Sequence, residues 1–186
     1  MKYGIKLWSS NNNLYQELIN LLNKDFDYLE LLYIPFHEKD LELLIEADIP
    51  IVVHAPTLTQ GVCFSYNDIK TNLNFFKKTQ EFATKLNAEY IIIHPDFGKN
   101  KHFINFLTRI NDQRVLIENM SKFGTEDELA IGYSKSEIKE FIEINNFGFC
   151  LDFEKAIKSA LAQNISYKEF INDLLKLKPN MFHISD

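Results

Sequence analysis

Five side chains of a type that binds divalent metals close five successive strand-like runs: His54 ends IPIVVH, His94 ends YIIIH, Glu118 ends RVLIE, Asp152 ends FGFCLD and His183 ends MFH. The runs are short and rich in Val, Ile and Phe, as strands buried on both faces are. Strands of a parallel barrel all present the same end to one mouth, so this regularity predicts a single convergent site.

The rest of the chain alternates in the same way. Apolar runs at about 3–8, 28–35, 49–55, 90–95, 114–119, 147–152 and 181–185 predict seven strands. Helical patterns separate them at about 12–23, 38–47, 67–87, 101–110, 135–144 and 166–178. In the longest of these, Ile69, Leu73, Phe76, Ala83 and Leu86 fall near one helical face. Ser134 with Glu137, and Ser166 with Glu169, have capping-box spacing. Thr125 with Glu128 has it too, and predicts a short extra turn after the fifth strand.

Strands joined by helical crossovers fit either a doubly wound sheet or an α/β barrel. An open sheet gathers its ligands at one switch point, which five consecutive strands cannot all reach. KLWSSNNN after the first strand also lacks the glycines of a phosphate-binding loop. The expected fold is therefore a TIM (β/α)8-type barrel with seven strands visible, its last strand and flanking helices missing from the chain. The first and seventh strands would then carry unpaired edges, and we expect the 186 residues to be one domain of a longer product.

Composition narrows the partners. No basic leader with a long apolar run and no membrane-length stretch is present, so a cytoplasmic location is expected. Cys63 and Cys150 lie too far apart in sequence for a paired-thiolate motif and are expected to be reduced. The net charge of −6, with only Arg109 and Arg114 as arginines, tilts against a protein that grips a phosphate backbone, although lysines can build a local patch.

Residues two apart on a strand share a face. His54 thus goes with Val52, His94 with Ile92, Glu118 with Leu116, Asp152 with Cys150 and His183 with Met181, the apolar partners filling the barrel beneath its mouth. Two imidazoles and a carboxylate can hold one ion with an open position, and a further carboxylate and imidazole can begin a second site. Zinc or manganese is expected, with magnesium or iron as alternatives. Each residue also has a plain structural role open to it: a strand-end His can be a hydrogen-bonded loop residue, and Glu118 or Asp152 can cap the helix that follows. Glu30 is a charge within an apolar strand, available to substrate or to a neighbouring Lys; His37 follows the second strand and can line the pocket, while His102 is expected in solvent.

HAP at 54–56, HPD at 94–96, EN at 118–119, CLD at 150–152 and HISD at 183–186 resemble, in order and spacing, the motifs of the xylose isomerase-like barrel superfamily, and most closely its branch of endonuclease IV and sugar isomerase/epimerase relatives. The resemblance implies that His54, His94 and Glu118 form a first metal site, with Glu118 bridging to a second that includes Asp152 and His183. It also implies that Glu118, Asp152 and His183 supply three of the four ligands of a single-metal sugar isomerase. Where endonuclease IV has a third-zinc His and an aromatic residue after HAP, this chain has Lys155 and Thr57, and HPG has become HPD with Asp96. Lys155 is then available to a substrate phosphate or carboxylate, or is a solvated lysine at a helix start. On these departures the expected activity is isomerisation or epimerisation of a sugar or sugar phosphate, with Glu118 and Lys155 as catalytic groups and Glu30, His37, Thr57 and Asp96 around the substrate. Phosphodiester cleavage in abasic or damaged DNA is the alternative, and a ligand-binding barrel without turnover the third. No membrane partner is expected, and oligomeric state has no signal in the sequence.

Overall fold

The structure is a computed structural model that describes residues 2–22 and 24–184. Seven parallel strands pair in chain order: β1 (Gly4–Trp8), β2 (Tyr28–Leu32), β3 (Ile51–His54), β4 (Tyr90–Ile93), β5 (Val115–Glu118), β6 (Gly148–Asp152) and β7 (Met181–His183). The sheet curls into a partial barrel of the predicted α/β class, with β1 and β7 at its free edges. Ser185 and Asp186, the end of the HISD motif, lie outside the described residues.

The helices are α1 (Tyr15–Leu21), α2 (Leu41–Glu46), α3 (Ile69–Lys85), α4 (Asn100–Leu107), α5 (Lys135–Glu143), α6 (Phe153–Ala162) and α7 (Tyr167–Leu175). Single-turn 3₁₀ segments at Asn12–Leu14 and Leu58–Gln60 precede α1 and α3. The sequence pattern misses α6. Its signals are an Asp152 N-cap, whose side chain accepts from the Lys155 N–H, and a buried stripe of Ala156, Ser159 and Ala160. Ser134 and Glu137 form the expected reciprocal capping box on α5, and Ser166 accepts from the Glu169 N–H on α7. Thr125 starts no helix: Glu128 instead accepts from the Glu126 N–H, in a turn closed by a bridge between Phe123 and Leu129.

Two apolar layers hold the barrel. Outside the sheet, the helices bury a large core in which Phe106 stacks on Phe64 at 4.6 Å and meets Phe76 and Phe103. Inside it lies a separate cluster of Val52, Ile92, Leu116, Cys150 and Met181. These are the five partners that strand alternation assigns to the interior. Parallel register then sets the site above them: His54 pairs with Ile92, Glu118 with Cys150 and Asp152 with His183.

Candidate metal centre

His54 and Glu118 are the last residues of β3 and β5, and His94 stands one residue beyond β4. Both ring nitrogens of His54 have defined work. Nδ1 lies 2.8 Å from the Ala55 carbonyl, which can only accept, so Nδ1 carries the proton and Nε2 presents a lone pair. That lone pair faces His94 Nε2 at 3.1 Å and Glu118 Oε2 at 3.3 Å.

His94 is oriented in a similar way. Its Nδ1 is 3.4 Å from Asp96 Oδ1, and its Nε2 is 3.1 Å from Glu118 Oε2. Asp96 reaches back to the ring because its backbone is left-handed, with φ of 55°, a conformation that Asp tolerates better than most residues. A carboxylate behind the distal nitrogen of an imidazole is the usual support of a metal-ligating histidine.

His183, the last residue of β7, approaches from the other side. Its Nδ1 is 3.1 Å from Glu118 Oε2, and its Nε2 is 2.7 Å from Glu30 Oε2. Glu30 also pairs with Lys6 at 2.8 Å. Both roles considered for Glu30 thus have a counterpart: it has a lysine partner, and it lines the interior cavity.

Three imidazole nitrogens therefore surround Glu118 Oε2 within 3.3 Å, yet this buried oxygen accepts no hydrogen bond. The His54 lone pair and a buried carboxylate oxygen left without a hydrogen bond suit a cation. Donor atoms of His54, His94 and Glu118 lie within 4.8 Å of one another, as do those of Glu118, Cys150 and His183. The donors fit a divalent metal ion.

Glu118 Oε1 has a different partner. Lys155, in the first turn of α6, turns back across the strand ends to place Nζ 2.6 Å from Oε1 and 3.1 Å from His94 Nε2. The Lys155 side chain is 19% exposed, so the solvated-lysine reading is corrected: the unrecognised α6 directs it into the site.

Asp152 ends β6 but spends Oδ1 on the Lys155 N–H at 2.8 Å and joins neither donor group among the described residues. Asn119, which sequence reasoning did not assign a role, clamps Asp152 beside Glu118. Its Nδ2 donates to the Asp152 carbonyl at 3.0 Å and its Oδ1 accepts from the Asp152 N–H at 2.8 Å.

Burial and neighbouring charge set the protonation states. Burial pushes His54 down to about 3, leaving it neutral. Burial alone would raise the Glu118 carboxyl, but Lys155, His94 and His183 outweigh it and hold the group well below the usual range. Burial opposes the charge on His183 and Lys155, and polar neighbours overcome it: the Glu118 carboxylate foremost in both cases, with the Cys150 thiol and Glu30 aiding His183 and Asp152 aiding Lys155. Burial, then Glu118, raises Asp152, and burial pushes the Cys150 thiol to about 12.

A cavity of about 670 Å³ runs along the seam between β1 and β7, and its wall includes Glu30, Glu118, Asp152, Lys155 and His183. The other predicted pocket residues stand elsewhere. His37 is exposed on the loop after β2; Thr57 caps the 3₁₀ turn with Gln60; Asp96 faces the His94 ring. None of the three lines this cavity. Four aromatic side chains at or after the ends of β1, β2, β3 and β5 are exposed: Trp8, Phe36, Tyr66 and Phe123. Lysines accompany two of them, with Lys78 Nζ 5.1 Å from the Phe36 ring centre and Lys122 Nζ 5.3 Å from that of Phe123.

No family of known sequences matches the chain, and no curated protein does. Among solved structures it is similar to endonuclease IV from Thermus thermophilus, with TM-score 0.72 at 17% identity, over 100% of this chain and 77% of the other. A xylose isomerase domain containing protein from Salmonella typhimurium gives 0.69 at 16% identity, over 99% and 71%. AP endonuclease, family 2 from Brucella melitensis gives 0.62 at 11% identity, over 98% and 91%. The chain shares the α/β barrel fold of these structures.

Proposed function

We propose that the protein is a divalent-metal-dependent hydrolase of phosphate esters, with His54, His94 and Glu118 as metal donors and a nucleic-acid phosphodiester as the bond cut. The observation that carries this reading is the convergence of these three donors around a Glu118 oxygen with no hydrogen bond. A metal held by two imidazoles and a carboxylate lowers the pKa of water at its open position and polarises a phosphoryl oxygen. The chain's own groups prepare that chemistry. Ala55 and Asp96 aim the two imidazoles, burial keeps His54 neutral, and Lys155 offers an ammonium to an anionic oxygen entering the cavity.

Two further observations support a nucleic acid over a small sugar. Exposed aromatic rings with lysines beside them suit stacked bases and a phosphate backbone, and two of the three similar structures named above are endonucleases. This reverses the order that the scarcity of arginine, Thr57 and Lys155 suggest from sequence.

A sugar or sugar phosphate isomerase or epimerase is the second reading. It is favoured by the cavity, whose wall carries Glu118, Asp152, Lys155 and His183 but neither His54 nor His94. In that case Glu118 shuttles a proton beside an enediolate.

One experiment separates the readings. Zinc- or manganese-loaded protein is assayed on an abasic-site duplex and on a panel of ketose and aldose phosphates, beside a His54→Ala variant. Strand cleavage abolished by the substitution supports hydrolysis. Sugar interconversion that survives it sinks the hydrolase reading, and loaded protein inert on both panels leaves neither standing.

A further inference from the structure

Glu118 divides its two oxygens between two kinds of partner. Oε2 faces three imidazole nitrogens, from His54, His94 and His183. Oε1 accepts a charge-assisted bond of 2.6 Å from Lys155. A carboxylate that joins two metal ions ordinarily gives one oxygen to each, and here one of the two already holds an ammonium.

Lys155 is well placed to keep it. Asp152 caps α6 and pins the Lys155 backbone through Oδ1 at 2.8 Å, so the side chain leaves the first turn toward β5 and β4. The ammonium has Glu118 and Asp152 as its main negative neighbours, and its side chain is largely enclosed. A divalent ion brought to Oε1 would meet this charge at close range in a poorly solvated site, where like charges repel most strongly. Lys155 also touches His94 Nε2 at 3.1 Å, a bond it must yield when that nitrogen takes a metal, while its bond to Oε1 can remain.

We infer that Lys155 is the second cation of the centre: its ammonium occupies the outer oxygen of Glu118 in place of a second metal ion, restricting this cluster to one ion. This rests on the metal-dependent reading above and deepens it. The ammonium lines the same cavity as Glu118 and Asp152, so an anionic substrate oxygen meets a fixed protein charge where a two-metal enzyme would offer a second ion. The substrate class that follows is an anionic ester able to bridge one metal and one ammonium.

The test is a count of bound ions on the full chain. Chelator-stripped wild type, Lys155→Met, Lys155→Gln and Lys155→Arg are titrated with Co²⁺, following the visible spectrum, and metal content is measured after dialysis against Zn²⁺. Wild type and Lys155→Arg are expected to hold about one ion, and the two neutral variants about two. Having two neutral variants guards against one of them failing to fold, which thermal unfolding monitors. Two ions on wild type, or one on a folded neutral variant, overturns the inference while leaving a metal enzyme intact. No Co²⁺ on any form removes the metal reading itself, and this inference with it.

Discussion

His183 and Glu30 stand 153 residues apart in the chain and are joined by a 2.7 Å hydrogen bond between the last strand and the second. The bond ties the two sides of the curled sheet across its interior. It also leaves His183 Nδ1 directed at Glu118, so one carboxylate serves both curvature and ligand orientation. Replacing Glu30 by Gln keeps the shape and removes the charge. The expected result is a fall in Co²⁺ affinity of about 10- to 100-fold, because Glu30 holds the His183 ring that orients the metal donor Glu118. Isothermal titration checks it, and an unchanged affinity would show that His183 does not orient Glu118.

Acid and alkali should act through different histidines. His54 takes a proton near 6.5 when unfolded and near 3 in the fold. Across that window the unfolded state binds the extra proton, so stability falls as pH drops. His183 has the opposite sign. Its folded imidazolium persists above its ordinary 6.5, so its contribution is complete below that value and is lost as pH rises through the raised folded pKa. Melting temperatures of metal-free protein should peak near neutrality. His54→Gln should flatten the acid limb and His183→Gln the alkaline one; a single variant flattening both would contradict this division.

Asn119 makes two hydrogen bonds to the Asp152 backbone, and its removal leaves buried groups unpaired. Asn119→Ala should cost about 1–3 kcal/mol, read as a lower urea midpoint at constant slope. The spacing of Glu118 from Asp152 should loosen with it, weakening metal retention in dialysis.

Phe106 offers a contrast remote from the chemistry. It is fully buried among Phe64, Phe76 and Phe103. Phe106→Ala should cost about 3–5 kcal/mol through the cavity it leaves, with Co²⁺ affinity unchanged in the folded fraction. Altered affinity would show that the outer core and the site are coupled.

Period-two alternation named all five interior residues, because it tolerates boundary shifts of a residue or two at the strand ends. The same rule put His54, Glu118 and His183 at the mouth. It could not foresee α6, since Asp152 reads equally well as a ligand and as a cap, and a stripe of alanines is a weak apolar signal. Without α6, Lys155 has no reason to turn inward. Pairings across the barrel, such as His183 with Glu30, depend on how the sheet closes, which no local pattern encodes.

Gathering Glu30, Glu118, Asp152, Lys155 and His183 in one enclosed space has a thermal consequence. Desolvated ions recover through mutual attraction only part of what they lose by leaving water, and apolar substitutes of similar volume often tolerate heat better by about 1–4 kcal/mol. A version with this cluster rebuilt from Leu and Met should outlast the natural chain on heating while binding no Co²⁺. Resistance to heat and the proposed chemistry draw on the same few side chains, and selection for either alone would pull the sequence in opposite directions there.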